Sequence, residues 1–216
     1  MDWASIPGPT RDATLARGRA KWTARPLPGP HGTPPWHVAR LGTVLPMAHP
    51  RVEQLRFTRS EWIRGLDGLP EEDAVRRLGP MNSISWMVGH LAWHERLVWL
   101  ERGLDERGME PVLDPVANGR PASTPPLAEM WSAWHRIVAA ADPFLDGLTT
   151  ADLRRPLRFD ERAPAPLAGS QLLRTTYHYW SHIGEASAVR QVLGHRDLPQ
   201  FVGPLDALAP YRPEPG

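Results

Sequence analysis

The run Ser83-Ile-Ser-Trp-Met-Val-Gly-His-Leu-Ala-Trp-His-Glu95 decides how the rest of this chain is interpreted. Asn82 and Ser83 are both residue types that commonly cap a helix N-terminus, so either one is a candidate cap, and no proline interrupts the chain from there to about Arg102. The run therefore predicts a long helix. His90 and His94 are four positions apart within it, so both imidazoles are expected to project from one face of that helix.

Three other segments show the same helical spacing of apolar residues, and loops rich in proline and glycine separate the four. The predicted long helices cover residues 49–66, 83–102, 126–145 and 170–193, with Ser170 as the cap of the last. Short helical turns are predicted at 71–78 and 150–154, and irregular connections at 103–125 and 147–169. No segment shows a convincing strand pattern. Because each amphipathic helix must bury its apolar stripe, the sequence predicts an all-α four-helix bundle.

Composition divides the chain into residues 1–46, 47–195 and 196–216. The first region has many prolines and glycines and no sustained apolar period, so we expect a disordered extension. Residues 1–46 could instead be a basic tether. A further interpretation is that they lie upstream of the true start of translation, because Met47 directly precedes the first helical pattern. The second region holds the predicted bundle. The third is expected to be an extended arm, and its expected packing residues are Phe201, Val202, Leu205 and Tyr211.

The composition also excludes several classes of function. The 216 residues include no cysteine, which excludes disulfides, thiolate metal sites and a cysteine nucleophile, and fits a reducing cytoplasm. We expect neither a secretory signal nor a membrane partner, because no apolar stretch is long enough. Outside residues 1–46 acidic residues outnumber basic ones, which disfavours nucleic acid as a partner. Phosphate-loop and nucleophile-elbow motifs are absent from the sequence.

A second histidine pair repeats the spacing of the first. His178 and His182 are four residues apart on the fourth predicted helix, as His90 and His94 are on the second. Two imidazoles one turn apart can bind one metal ion, and facing helices of a bundle can bring two such pairs together. Glu185 lies one turn beyond His182 on the same face. From spacing alone, His90 and His94 compete for the third ligand position.

A helical wheel of the second helix favours one orientation. Small or polar residues are expected on its outer face: Ser85, Gly89, Ala92 and Arg96. The opposite arc is expected to face the core: Met87, His90, Leu91, His94 and Val98. Both histidines are thus predicted to point inward, with His94 nearer the centre of the arc. His135 and His195 are isolated in the sequence and are interpreted as surface or structural residues.

The run 83–95 resembles the helix-two signature of the DinB/YfiT-like superfamily, a group of four-helix-bundle metalloenzymes. The run Tyr177-His-Tyr-Trp-Ser-His-Ile-Gly-Glu-Ala-Ser-Ala-Val-Arg190 resembles its helix-four signature, a histidine pair followed by Gly-Gln or Gly-Glu and an arginine. The resemblance covers residues 48–195 and implies an up-down-down-up bundle. It also implies that a divalent metal is bound at the positions of His90, His178 and His182.

The resemblance further implies a range of activities. Family members include thiol-dependent transferases and isomerases, such as mycothiol-dependent maleylpyruvate isomerase and bacillithiol transferases. The isomerase type has a glutamate at the position of His178, so this chain departs from it. We expect a divalent metal (zinc, nickel, iron or manganese) that activates a low-molecular-weight thiol such as mycothiol, or water, for attack on a small electrophile. Glu185 is expected to be a catalytic proton shuttle or the acceptor that orients a histidine.

Two alternatives stand beside this thiol transferase or hydrolase. If His94 joins His90, His178 and His182, four imidazoles would close a structural metal site without catalysis. Without metal, the tryptophans of the bundle would serve packing or a homodimer surface, and the domain would mediate interactions. For the enzymatic interpretation, the expected partner is a small-molecule substrate.

Overall fold

The computed structural model describes residues 48–158 and 165–215. In these two ranges the regular secondary structure is helical, and a single isolated β-bridge joins Pro156 to Leu167. The all-α prediction is confirmed for this part of the chain. The expected disordered extension, residues 1–46, and the expected start at Met47 lie outside the described residues. None of the described helices is both long and apolar enough to cross a lipid bilayer.

The elements follow one another as α1 (Pro50–Gly65), α2 (Glu71–Ala74), α3 (Ile84–Glu95), a π-helical continuation of α3 (Arg96–Leu104), a 3₁₀ segment (Pro111–Val116), α4 (Leu127–Asp146), α5 (Thr150–Leu153), α6 (Ala168–Val192) and α7 (Leu205–Leu208). The four long predicted helices correspond to α1, α3 with its continuation, α4 and α6. The helix α2 is shorter than the predicted 71–78.

Two helix starts show how the backbone is capped. Of the two candidate caps, Ser83 caps α3, and its Oγ accepts a hydrogen bond from the backbone N–H of Trp86 (3.2 Å). The prediction that Ser170 caps the fourth helix is wrong, because α6 already begins at Ala168. The N–H of Ala168 donates to the carbonyl of Arg155 (2.8 Å), so the preceding backbone satisfies a helix-end donor that a side chain was expected to satisfy.

Contacts between the long helices form a continuous series. The helix α1 packs against α6, and α3 packs against both α6 and α4. The core between them contains several large side chains that are fully buried: Trp62, Met87, Leu91, Trp99, Met130, Ile137 and Tyr179. Burial of these apolar groups supplies the main free energy that holds the helices together.

The predicted outer face of α3 is wrong, because other elements cover that face. Its four assigned residues are all buried: Ser85, Gly89, Ala92 and Arg96. A Cβ placed on Gly89 would overlap Met130 Sδ of α4 and lie 3.0 Å from Val116 Cγ2 of the 3₁₀ segment. The small residues of α3 therefore mark places where neighbouring elements approach its backbone closely.

A buried polar network connects all four long helices. Arg59 of α1 donates from Nε to Oε1 of Glu95 in α3 (2.8 Å), and its terminal nitrogens contact Glu95 Oε2 and Asp142 Oδ1 of α4. Tyr179 of α6 donates to Glu95 Oε1 (2.6 Å) and accepts from Nε1 of Trp134 in α4 (2.6 Å). Each helix thus contributes at least one member to a single set of hydrogen bonds.

The network is dry. The side chain of Glu95 is 0% exposed and that of Arg59 is 4% exposed. Burial opposes the positive charge of Arg59, but the Glu95 carboxylate raises the pKa of the guanidinium above its usual value. Burial, with the neighbouring carboxylate, also raises the pKa of the Tyr179 hydroxyl well above its usual value. At neutral pH, Arg59 therefore stays charged and Tyr179 stays a hydrogen-bond donor.

The C-terminal region packs differently from the expectation. Phe201 is partly buried against the core, and the guanidinium of Arg64 lies 5.0 Å from its ring centroid. The other three expected packing residues are substantially exposed: Val202 (52%), Leu205 (36%) and Tyr211 (89%). Polar contacts, rather than the apolar contacts expected of these three residues, hold this region against the bundle. One of them is a 2.8 Å hydrogen bond from Gln54 Nε2 of α1 to the carbonyl of Ala209. The expected packing of Val202, Leu205 and Tyr211 is therefore wrong.

The substitution Glu95→Gln is expected to lower the free energy of unfolding by about 3–5 kcal/mol, because it leaves the buried guanidinium of Arg59 without its main counter-charge. Chemical denaturation measures this difference. The control is Glu214→Gln, which removes an ion pair with Arg51 in which both side chains are more than 40% exposed, and which is expected to cost no more than about 1 kcal/mol. Equal effects of the two substitutions would contradict the role assigned to the network.

The substitution Gly89→Ala is expected to destabilise the protein by about 1–3 kcal/mol, because its methyl group would overlap Met130. The matched control is Gly184→Ala in α6, where an added Cβ meets no heavy atom within 4 Å. There, the better helix propensity of alanine is expected to stabilise by about 0.5–1 kcal/mol. Thermal unfolding of the two variants checks the opposite signs, and a stabilising Gly89→Ala would overturn the close packing of α3.

Candidate metal centre

The helices α3 and α6 bring three of the predicted histidines together. One ring nitrogen each of His90, His178 and His182 lies within 4.8 Å of the other two. Nε2 of His178 and Nε2 of His182 lie 3.1 Å apart. His90 and His182 are buried, and His178 is partly buried. The cluster thus combines one histidine of the first pair with both members of the second.

The orientation of His90 is fixed on three sides. Its Nδ1 lies 2.8 Å from the carbonyl oxygen of Val116 in the 3₁₀ segment. A carbonyl can only accept, so Nδ1 carries the proton and Nε2 keeps its lone pair. The ring stacks between two indoles, with centroids 4.3 Å from Trp86 and 5.3 Å from Trp93. These contacts select the tautomer and the ring plane that metal binding through Nε2 requires.

His182 is oriented by a carboxylate on its own helix. Its Nδ1 lies 2.9 Å from Oε2 of Glu185, three residues further along α6. When the ring is neutral, a proton on Nδ1 donates to that carboxylate and leaves the Nε2 lone pair directed toward His178. Glu185 therefore occupies the position of a histidine-orienting acceptor. It does not line the cleft onto which His178 opens.

Two of the three clustered histidines, His90 and His178, are held in their uncharged form. Burial lowers the pKa of His90 to about 4, and burial together with the neighbouring histidines lowers the pKa of His178 to about 3. Imidazoles with such pKa values are neutral at physiological pH. A neutral imidazole is the form that binds a metal ion, so the ligands need not lose a proton first.

These residues fit a divalent cation. On a tetrahedral ion with metal–nitrogen bonds of about 2.0–2.1 Å, two ligand nitrogens lie about 3.3 Å apart. The 3.1 Å separation of the His178 and His182 nitrogens is close to that value. When His182 donates from Nδ1 to Glu185, its Nε2 accepts a hydrogen bond from Nε2–H of His178, and a cation between the two nitrogens would replace that proton. The donor set and its spacing both agree with a divalent cation.

His94 lies beside the cluster but is turned away from it. Its Nε2 is 3.2 Å from Oγ1 of Thr175, and that hydroxyl donates its own proton to the carbonyl of Gln171 (2.9 Å). The hydroxyl can therefore only accept from His94, which places the His94 proton on Nε2. Although the ring centroids of His94 and His178 are 4.6 Å apart, no His94 nitrogen joins the three-histidine group found among the described residues.

The 3₁₀ segment that holds His90 is itself positioned by Arg96. The Nη1 of Arg96 donates to the carbonyls of Met109 and Glu110 (2.9 Å each), and its Nη2 donates to Asp114 Oδ1 (2.7 Å). These bonds hold residues 109–114 against α3. The carbonyl of Val116, two residues later, then reaches His90.

An open cleft of about 820 Å³ adjoins the cluster. His90, His94 and His178 form part of its wall. The remaining lining residues are Trp93, Asn118, Pro166, Ser170, Gln171, Leu173, Arg174 and Tyr177. A molecule in the cleft could therefore reach the histidine cluster from solvent.

The other sequence-predicted histidines lie elsewhere. His135 is exposed on α4, where its ring lies beside Trp131 and Trp134. His195 bonds through Nε2 to Asp73 (3.0 Å) and accepts at Nδ1 from Arg190 (3.1 Å), so it ties the end of α6 to α2. Both roles agree with the expectation of surface or structural residues.

Sequence analysis missed several groups that shape the cluster. The Val116 carbonyl carries no sequence signal, because any residue offers one. Trp86 and Trp93 precede and follow His90 by four and three residues, so their helical spacing could have indicated that they flank its ring. Gln171 and Arg174 also share a face of α6 with His178, at spacings of seven and four residues.

Comparison with known proteins assigns the family. A search of curated proteins finds no match to this chain. The family model described as the DinB superfamily matches residues 54–186, which is more than half of the chain and contains all three clustered histidines. Together with the helical fold, this match shows that the chain belongs to the DinB superfamily.

Proposed function

We propose that this protein is a divalent-metal-dependent enzyme that activates a low-molecular-weight thiol, or water, for attack on a small electrophile. Its reaction class would be thiol S-transfer or hydrolysis. The observation that carries the proposal is the convergence of His90, His178 and His182, two of which, His90 and His178, line a cleft of about 820 Å³. Membership of the DinB superfamily supports it.

His90 and His182 would bind the metal through Nε2, because the Nδ1 atom of each ring is bonded to another group. Val116 and the two flanking indoles hold His90, and Glu185 holds His182. We assign Glu185 the role of a positioning residue rather than a proton shuttle, because it bonds to His182 and does not line the cleft. When bound, a divalent ion would lower the pKa of a thiol or water and polarise a substrate oxygen.

The engagement of His94 with Thr175 favours an open site over a closed structural one. Four imidazole ligands would complete a tetrahedral shell, whereas three leave a position for a reactant. His94 directs its Nε2 proton toward Thr175, and it stays outside the group of three. The cleft wall formed by His90 and His178 gives a reactant access to that position.

The donor set leaves the metal open among zinc, nickel, iron and manganese, since imidazole suits several divalent ions. The thiol would be a small cosubstrate such as mycothiol, because the chain itself has no cysteine. The presence of His178 where the isomerase type has glutamate argues against the isomerase reaction.

We further propose that the long helices form the up-down-down-up bundle of the family. Parallel neighbours need a long return connection, and residues 105–126 between the end of the π-helical segment and α4 provide one. The proposed partner is a small-molecule substrate in the cytoplasm rather than a nucleic acid or a membrane, and a homodimer is compatible with this function.

Untagged protein is expected to carry about one equivalent of divalent metal, and His178→Ala almost none, because two ligands cannot retain an ion in competition with water. Elemental mass spectrometry measures the metal. His135→Ala, which removes an exposed histidine far from the cluster in sequence, is the control and is expected to retain the wild-type amount.

His94→Ala distinguishes the open site from the closed one. It is expected to retain about one equivalent, because His94 lies outside the set of three ligands. Loss of the metal from this variant would favour the structural site. Less than about a tenth of an equivalent in the wild type, even after separate additions of zinc, nickel and manganese, would overturn the metalloenzyme proposal.

Glu185→Ala is expected to weaken zinc affinity by about 10–100-fold, because His182 loses the acceptor that fixes its ring and increases its basicity. Competition with a chromophoric chelator measures the affinity. Glu185→Gln keeps an acceptor oxygen and is expected to lie between the wild type and alanine. The unfolding temperature of the metal-free protein should not change, because Glu185 is partly exposed. An unchanged zinc affinity in the alanine variant would contradict the positioning role.

A further inference from the structure

One face of α6 continues the histidine cluster along the wall of the cleft. Gln171, Arg174 and His178 follow one another at spacings of three and four residues, and all three line the cleft. Side chains at such spacings project from the same side of a helix. A molecule that contacts His178 and extends along α6 would therefore meet Arg174 and then Gln171.

Gln171 is mostly buried, but its amide borders the cleft. The residue is only 6% exposed. Within residues 48–158 and 165–215, its side-chain amide makes no hydrogen bond, although its backbone carbonyl accepts from Thr175. The amide atoms are not among the fully buried polar atoms of the described residues that lack a partner. The N–H donors and the carbonyl oxygen of this amide are therefore available to a ligand in the cleft.

Arg174 indicates that a ligand in the cleft is negatively charged. Among the residues that the structure describes, the lining of the cleft includes this one guanidinium and no carboxylate. Arg174 is exposed and forms no ion pair with any residue in the described part of the chain. Ser170, also in the lining, belongs to the first turn of the 25-residue helix α6, whose N-terminus adds a partial positive charge. One guanidinium and this partial charge match a single negative charge.

We propose that Gln171 and Arg174 bind the carboxylate end of an elongated monocarboxylate whose other end reaches the histidine cluster. The guanidinium fork and the amide N–H groups are donors that suit a carboxylate. With a rise of about 1.5 Å per residue, Arg174 lies about 6 Å and Gln171 about 10 Å from His178 along the helix axis. The ligand must therefore separate its carboxylate from its reacting atom by several bonds. This inference rests on the proposed function, since it identifies the substrate class of that site.

The test compares 6-mercaptohexanoate with 6-mercaptohexan-1-ol, which differ only in the end opposite the thiol. Both probes are titrated at pH 7 under reducing conditions. Calorimetry measures their binding to zinc-loaded protein, and ligand-observed NMR measures their binding to protein from which a chelator has removed the metal. The carboxylate probe is expected to bind about tenfold more tightly than the alcohol in both samples, because only the carboxylate forms a charge-assisted hydrogen bond with Arg174.

Two variants locate the preference. Arg174→Gln is expected to bind both probes equally, and Gln171→Ala to reduce the preference several-fold. Arg107→Gln is the matched control, because its side chain is 80% exposed and does not line the cleft. Thermal unfolding of each variant confirms that it folds. Equal affinities of the two probes for the wild type, or a preference that survives Arg174→Gln, would overturn the inference.

The same titrations separate this inference from the proposed function. The ratio of the two dissociation constants reports on the carboxylate end, whereas the gain that zinc gives to both probes reports on the metal end. A preference that Arg174→Gln abolishes, without any gain from zinc, would support the carboxylate site and contradict thiol activation by the metal.

Discussion

The buried ion pair between Arg59 and Glu95 is the interaction on which the rest of this structure depends. Two charges removed from water are costly unless their hydrogen-bonding groups are satisfied, and Tyr179 and Asp142 complete the set here. Only one rotation of α3 directs Glu95 toward these partners. His90 precedes Glu95 by five residues, about 140° around the helix, so the same rotation turns His90 away from the ion pair and toward the cleft.

Arg96, the residue after Glu95, links the rotation of α3 to the histidine cluster. Arg96 begins the π-helical segment and holds the carbonyls of Met109 and Glu110 against α3. The 3₁₀ segment that follows places the Val116 carbonyl on His90. Gly89 allows this approach, because a larger residue would collide with Met130 and crowd Val116. Rotation of α3, closure of the 3₁₀ segment and the tautomer of His90 are therefore consequences of adjacent residues on one helix.

The sequence predicted what depends on short-range spacing and missed what depends on contacts across the fold. Helices and the two histidine pairs follow from periodicity, so the all-α class and the candidate ligands could be predicted. Arg59 and Glu95 are far apart in sequence, and no local pattern indicates that they pair. The helical wheel placed the solvent-facing side of α3 at its small residues, but that side is buried, so small residues such as Gly89 were misassigned. The wheel also favoured His94 over His90, whereas the structure groups His90 with His178 and His182 and pairs His94 with Thr175.

The contact between His94 and Thr175 bears on both the metal site and the cleft beside it. Toward α3, it removes His94 from the group of ligands and favours a site with a position free for a reactant. Along α6, the Thr175 hydroxyl donates to the backbone carbonyl of Gln171, while the Gln171 side chain lines the cleft together with Arg174. A reactant at the histidine cluster would therefore approach along a face of α6 that presents both side chains. The contact that argues against a closed structural site thus lies next to the two residues that we propose recognise the far end of a substrate.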